Sequence, residues 1–539
     1  LVRNLNTALM ADNAEHKTMQ SALDAAAAFG YDVGKINASA TGNEILWDSK
    51  NDVFCYFKDG KVEYIPETVL KVAKDKVATY DYWQICTKVP SKQEYSIYWN
   101  NEAAPNFGDK NLTVGFDAGK CNAITELKYE RTSGAAQDVV IRTNGGELVV
   151  NAANDHVEHY GLAKVVDVQA VSPTTYVEHG IVGKLNVTAS QKVVLKATAV
   201  VGKLEGNATK ETGAFVASDN DGNTIMVSSY DQLQALALAS TAGVNLDGKE
   251  ISLQNDIDAS GRTWTPFGWD RTYPFSGTIN GNGHKITGLS SKGYTVPMEY
   301  QTQGGSKGTP YALIAYATRD VTVKNLTLDV DFVQTDKNKL FTAGVIATYD
   351  FDGIQNSSKQ KYDIVVEKVT VNGVISGEDN VAAIMGTNYK GNCDNAKFAA
   401  ISFTLKDCVN NAAITSKNRV GGIVCKVSTN KDGYSGRKAV SFDIINCKNT
   451  DKATIETTNA TYGVGGIVGF STNSDTDCAL TKITGCESNA QLKAPEGRPC
   501  GQLIYVYTTS NKITLNNTVQ DLGTNKAYDM NGNAVSTSK

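Results

Sequence analysis

Ile364-Val-Val-Glu-Lys-Val369, Phe403-Thr-Leu-Lys-Asp-Cys408, Phe442-Asp-Ile-Ile-Asn-Cys447 and Thr481-Lys-Ile-Thr-Gly-Cys486 are the stretches on which the fold of this chain turns. They share the pattern apolar-x-apolar-x-x-Cys/Val, and Val366, Leu405, Ile444 and Ile483 follow one another at intervals of 39. On a strand every second side chain points to the same face, so the first two positions share one. The following step of three requires a bend that re-aims the last residue into the same core. Two further series keep the same order: Gly344-Val345-Ile346, Ala383-Ile384-Met385, Gly422-Ile423-Val424 and Gly466-Ile467-Val468, then Ile375, Ile414, Ile455 and Leu492. Three short strands and at least two bends per repeat predict one triangular coil of a parallel β-solenoid, with the loop after the Gly-Ile strand absorbing insertions. An antiparallel sandwich also has short strands but does not explain equal spacing at three separate positions. Weaker copies precede the series at Ile286-x-x-Leu289 and Val323-x-x-Leu326, and a degenerate one ends it at Leu515-x-x-Thr518.

Towards the amino terminus the period shortens. Tyr160–Val165, His179–Leu185 and Thr198–Leu204 align with Lys164, Lys184 and Lys203 in file. A repeat of about 20 residues is the size of one solenoid coil, and it buries its apolar face only by stacking. Between the two series Ser229–Ala242 (SYDQLQALALASTA) predicts a short amphipathic helix, with Leu233, Leu236 and Leu238 as its buried side, placed to cap an open strand edge. Nearer the start, His16–Gly30 has Met19, Leu23, Ala26 and Ala27 at helical spacing and Gly30 as a stop. Glu44–Trp47, Val53–Phe57 and Val62–Ile65 follow around the turns Asp48–Asn51 and Asp59-Gly60 and predict a meander. The expected organisation is mainly β. It comprises a small α+β domain over 1–105, a short-coil β-solenoid over 106–227, a parallel β-helix over 228–520 with a capping helix near 229–242, and a C-terminal tail or hairpin over 521–539.

Composition limits the function. Of 539 residues 41% are hydrophobic, enough for a sizeable core, and 20% are charged. The net charge of −5 provides no basic stripe of the kind nucleic acid requires. No apolar run approaches the roughly 18 residues of a membrane helix. The chain opens at Leu1 without a charged-then-apolar leader, as expected of a mature or trimmed chain whose export signal and anchor are missing. Ten cysteines are too sparse for a disulfide scaffold and show no zinc-finger spacing. Cys55 and Cys86 are near enough in sequence to form a bridge.

Each constellation that could carry chemistry also has a structural reading. Cys408, Cys447 and Cys486 fall at one ladder position, where a soft metal or a file of core thiols is expected. Side chains on neighbouring rungs point in parallel about 4.8 Å apart, whereas a disulfide needs Cβ atoms near 3.8 Å, so the thiol file is the better reading. His156, Glu158 and His159 are echoed by Glu178 and His179 one coil on, and imidazole and carboxylate from adjacent rungs can hold a transition metal. Alternation, however, sends Glu158 and His159 to opposite faces, so turn and ladder residues are expected and no metal site is assigned. Asp219-Asn220-Asp221-Gly222-Asn223 lacks EF-hand spacing and reads as a turn, as does Asp529–Asn533. Asp329, Asp331, Asp363, Glu367 and Asp407 share no ladder position with a basic partner, and His284 belongs to a turn, so no catalytic residue and no cofactor are assigned. The aromatics in and beside the loop insertions, Tyr294, Tyr300, Tyr311, Phe341, Tyr349 and Phe351, are the candidate binding residues, as a stacking platform for sugars or a protein hot spot. The alternative is that they pack the insertions onto the scaffold.

Two stretches resemble known families. Glu44–Phe57 (EILWDSKNDVFCYF) is similar to a module of exported surface proteins of Gram-positive gut bacteria, which implies location and says nothing of chemistry. Ile251-x-Leu253-x-x-Asp256-Ile257-Asp258, Trp264-x-Pro266-x-Gly268, Phe275–His284 (FSGTINGNGH) and the Gly-Gly-Ile-Val-Gly segments resemble GLUG-type repeats over roughly residues 223–520. Such repeats belong to pectate-lyase-like right-handed β-helices of bacterial surface proteins. The resemblance implies an extracellular, secreted or surface-attached protein acting as a non-catalytic adhesin or display rod. Its partner would be a host or bacterial surface glycan or protein. A polysaccharide lyase or glycoside hydrolase on the same scaffold is the alternative.

Overall fold

The computed structural model describes residues 136–536 except 137, 145, 153–154, 170–174, 189–191, 220–221, 293–309, 335–340, 351–353, 355–357, 391–399, 429–439, 473–480 and 508–510, and before them the strand residues 45–48, 53–58, 61–64, 111–114 and 126–131. The chain is mainly β, with large and mostly parallel sheets, and divides into two compact units after Asp219. The helix expected at His16–Gly30 and the Cys55–Cys86 pairing lie outside the described residues.

In the first unit Ile45–Asp48, Val53–Lys58 and Lys61–Tyr64 pair antiparallel in chain order, and from Asn111 onward the pairing is parallel. Ile181 lies between Leu162 and Val200, a spacing of 19 residues on each side. Lys184 faces Lys203 on one side but Val165 on the other, so Lys164 is one place out of the expected lysine file. Backbone approach explains the register. Gly161 has φ +94°, and a Cβ there would sit 2.1 Å from the Thr143 carbonyl oxygen; one on Gly180 would sit 2.4 Å from the Gly161 carbonyl oxygen. The glycines at 161 and 180, not the lysines, therefore set the spacing. The inward files, Val157–Tyr176–Val193 and Ala163–Val182–Val201, are almost wholly buried.

Three parallel ladders run through the second unit. One carries Val323, Val366, Leu405, Ile444, Ile483 and Leu515. Another carries Ile375, Ile414, Ile455 and Leu492. The third carries Ile314, Ile346, Met385, Val424, Val468 and Ile504. Most of these side chains are fully buried, each worth about 1.5–3 kcal/mol when taken out of water. The step of three has a plain backbone cause: Asn325, Lys368, Asp407 and Asn446 all have φ of 52–53° and Gly485 has φ 65°. One left-handed residue turns the strand so that the next side chain faces inward again, and Asn and Gly tolerate that conformation best. Val369, Cys408 and Cys447 accordingly point into the core at 0% exposure, while Cys486, on the last rung of the file, is only partly buried.

Two polar ladders brace the same rungs. Inside, the Asn410 amide donates to Asn449 Oδ1 at 2.9 Å, and the Asn449 amide donates to Ser488 Oγ at 3.0 Å and to the Gly466 carbonyl at 2.8 Å. Outside, Thr450 Oγ1 donates to Asn411, Asn411 to Asn372 and Asn372 to Asp329, at 2.6–2.8 Å. The helix Tyr230–Thr241 starts at Ser229, whose side chain accepts from the Gln232 N–H, while the Gln232 side chain accepts from the Ser228 N–H. It is covered nearly all round, not on one face as its sequence suggests: Leu233, Ala235, Ala237 and Ala239 are as buried as Leu236 and Leu238. Gln234 is fully buried as well and satisfied by Thr265. At the other end, antiparallel pairs Asn511–Leu522, Lys526–Tyr528 and Ala534–Val535 close the sheet. Among the described residues no helix is long and apolar enough to cross a membrane.

Candidate functional site

Strand His156–Gln169 alternates, and this divides its polar residues between two faces. On the inner face His159 and Glu178 are both 0% exposed and opposite each other in register. His159 Nδ1 lies 2.8 and 2.9 Å from the two Glu178 oxygens, and Nε2 lies 2.7 Å from Thr143 Oγ1. The Thr143 hydroxyl donates to the Leu162 carbonyl, so Nε2 must be the donor to Thr143. The Glu178 carboxylate also accepts from the Gly180 N–H and the Tyr176 hydroxyl. His159 Nδ1, the Gly180 N–H and the Tyr176 hydroxyl thus converge on one carboxyl group sealed in the core. Burial, reinforced by the charge of Glu178, pushes the Tyr176 hydroxyl well above the ordinary tyrosine range. The order hydroxyl–imidazole–carboxylate is that of a hydrolase triad, yet His159 and Glu178 have no exposed surface for a substrate to meet.

On the outer face Glu158 accepts from the Tyr160 hydroxyl at 2.8 Å and is flanked by His156 Nε2 at 3.2 Å and His179 Nε2 at 3.3 Å. Tyr160 and His179 stack with centroids 4.1 Å apart. Burial raises the Glu158 pKa, but the Tyr160 hydroxyl, His156 and His179 outweigh it and hold the carboxyl below its ordinary value. Among the described residues no three His, Cys, Asp or Glu side chains are arranged to hold a metal ion.

The remaining candidates are tied to the scaffold. The cysteines are free thiols directed at main-chain oxygens: Cys408 at Val366 and Cys447 at Leu405, each at 3.4 Å, and Cys486 at Ile444 at 3.6 Å. Asp329 is held by Asn372 and Lys285, Asp363 by Lys361, and Asp407 by Asn446. Asp331 is exposed, and Glu367 lies beside Lys324 and Lys406 on neighbouring strands. His284 bonds Asp256, whose carboxylate also caps the Lys285 N–H. Asp219 pairs with Lys210, while Asn220 and Asp221 lie outside the described residues. Asp529 accepts from the N–H groups of Asn531 and Asn533 and shapes their turn.

The expected aromatic platform needs correction. Tyr311 is 1%, Tyr349 0% and Phe341 9% exposed, so none of these offers a ring face to a ligand. Tyr311 donates to the Trp264 carbonyl and packs edge-on against Phe332, while Tyr349 packs on Phe403. Ladder registers draw these rings inward with the strands that carry them. Tyr294, Tyr300 and Phe351 lie outside the described residues.

Among the described residues, an open groove in the second unit gathers side chains that the sequence reading did not single out. It encloses about 280 Å³ between the end of the helix at Ser240, the segment Gly243–Leu246, the turn Thr272–Ser276 and the bend Thr318–Arg319. Gly243, at φ +81°, ends the helix. The Tyr273 ring lies against it, since a Cβ at 243 would be 3.1 Å from Cε1, and 43% of Tyr273 stays exposed. Arg319 sits at a left-handed bend, φ +52°, with its guanidinium 3.6 Å from the Asp247 carboxylate. Asn245 Oδ1 accepts from the Asp247 N–H and holds that loop. No local motif marks the groove, because its parts come from four separated segments.

No family model matches the chain. No curated protein matches it either. Among solved structures it is similar to one titled "putative immunoglobulin A1 protease from Bacteroides ovatus", with 15% identity and a TM-score of 0.39 over 57% of this chain and 85% of that one.

Proposed function

We propose that the second unit is a right-handed parallel β-solenoid of the GLUG-repeat type and that the protein is an extracellular, non-catalytic adhesin or display module. The observation that carries this reading is the set of three parallel ladders, visited in the same order in successive repeats, around a core of Ile, Val, Leu, Phe and Cys. Such a core has no room for a ligand, so recognition belongs to the outer surface. A glycosidase on this scaffold would need two carboxyl groups flanking one cleft, whereas the carboxylates at 329, 363 and 407 are spent on neighbouring amides and lysines. The test is to probe arrays of surface glycans and host proteins with the intact chain and to incubate it with a polysaccharide panel. Binding without release of reducing ends or unsaturated sugar is the expected result. Sustained release from any polysaccharide would replace the adhesin reading with the enzymatic one.

A further inference from the structure

We infer that the groove at Tyr273 takes one neutral sugar ring of a glycan, with Arg319 in its wall and Asp247, next in the chain to the lining residue Leu246, reading a pair of neighbouring hydroxyls at its edge. The inference rests on the reading of the chain as a surface binder and adds a site and a ligand class to it. A sugar ring presents a face of C–H groups and a rim of hydroxyls, so its site needs an exposed aromatic beside a donor–acceptor pair. Tyr273 supplies the aromatic surface, 43% exposed and backed by Gly243. The guanidinium and carboxylate are 3.6 Å apart, too far for a direct hydrogen bond, and their side chains are 42% and 35% exposed. A vicinal diol fits that gap: one hydroxyl donates to the carboxylate while its neighbour accepts from the guanidinium, which presents several N–H groups in one plane. The opposite charges cancel, so the pair favours a neutral ring over an anionic one. The asparagine amide at 245 and the hydroxyls of Thr272 and Ser276 line the same groove and suit the remaining rim. Its volume of about 280 Å³ lies just under the 300–1,000 Å³ range of pockets for larger ligands, as one ring of a longer chain would need.

The experiment uses the full chain on an array of glucose-, galactose- and mannose-terminated oligosaccharides beside a host-protein array, with Kd of any bound sugar measured in solution. Tyr273→Ala, Asp247→Asn and Arg319→Asn are compared with the wild type; Asn keeps a residue tolerant of the left-handed bend. The expected result is binding of a neutral oligosaccharide, a loss of at least about tenfold in each variant, the scale of one good contact, and unchanged melting temperatures. Sugar binding that all three variants retain would overturn the groove and leave the binder reading intact. Binding to host proteins alone overturns the sugar proposal without touching that reading. An intact chain that binds neither array overturns both.

Discussion

Asn449→Ala tests whether the inner polar ladder holds neighbouring repeats together. Asn449 is fully buried and joins three partners on three segments: Asn410, Ser488 and Gly466. The partners are not equally exposed to its loss. The Gly466 carbonyl also accepts from the Gly422 N–H, and Ser488 also donates to Gln502, so each keeps one bond. The fully buried Asn410 amide keeps only the bond its Oδ1 accepts from the Ala412 N–H, and its Nδ2 is left without an acceptor. Stranding that donor costs about 1–3 kcal/mol and losing the other two bonds about 0.5–1.5 kcal/mol each, for a total of about 2–6 kcal/mol. Asn411→Ala is the matched control. It removes two bonds of the outer ladder, to Asn372 and Thr450, at a half-buried position where water replaces them, and its cost should stay below about 1 kcal/mol. Urea unfolding read by alkylation of Cys447, which is buried while the ladders hold, reports this region of the second unit. Equal urea midpoints for the two variants would refute the idea that the inner ladder carries stability.

Three other outcomes follow from the same geometry. Gly161→Ala should destabilise the first unit by more than about 2 kcal/mol, since it forces a side chain into a positive φ and against the Thr143 carbonyl; an unchanged melt would contradict the close approach. Burial pushes the Cys425 thiol far up, and hydrogen bonding with Cys408 raises Cys447, so peptide mapping after native alkylation at pH 8 should find both unmodified and urea should open both. The Asn280 amide first, and Lys324 after it, hold the Glu250 carboxyl below its ordinary value of 4.5. Its contribution is therefore present above about pH 4.5 and lost as pH falls through the lower folded value; Glu250→Gln should flatten the acid side of a melting profile, and superimposable profiles would rule this out.

Much of the second unit was legible because its repeat constrains sequence at every rung. The spacing of Leu405, Ile444 and Ile483 is the register itself, and the step of three announced a bend whose cause, a left-handed residue, is visible in Asn325, Asn446 and Gly485 but not in Lys368. The first unit misled by one place because lysines were aligned where glycines set the approach. The helix Tyr230–Thr241 looked amphipathic since Ala and Gln were counted as exposed, although small side chains and a satisfied amide bury readily. The aromatics failed as a platform for a general reason: a tyrosine beside an insertion reads the same whether its ring faces water or core. The groove left no trace because a tyrosine and an arginine from separated segments, with an aspartate beside them, have no spacing to betray them.

Equal registers also govern how such a gene can change length. Cys408 and Cys447 occupy equivalent places and lead into equivalent pairs, Val409 opposite Lys448. A tandem duplication or loss of the 39 codons from Val409 to Cys447 yields a junction the protein already contains, a cysteine followed by Val409 or by its register partner Lys448. Whole rungs can thus be added or dropped without inventing a new interface. A change one codon longer or shorter within a strand would send every following side chain to the opposite face. The interval from Val424 to Val468 is 44 residues, yet the two still pair, so the loops between strands absorb the irregular changes. Unequal recombination can therefore lengthen or shorten the ladders of the second unit in discrete steps while the loops vary separately.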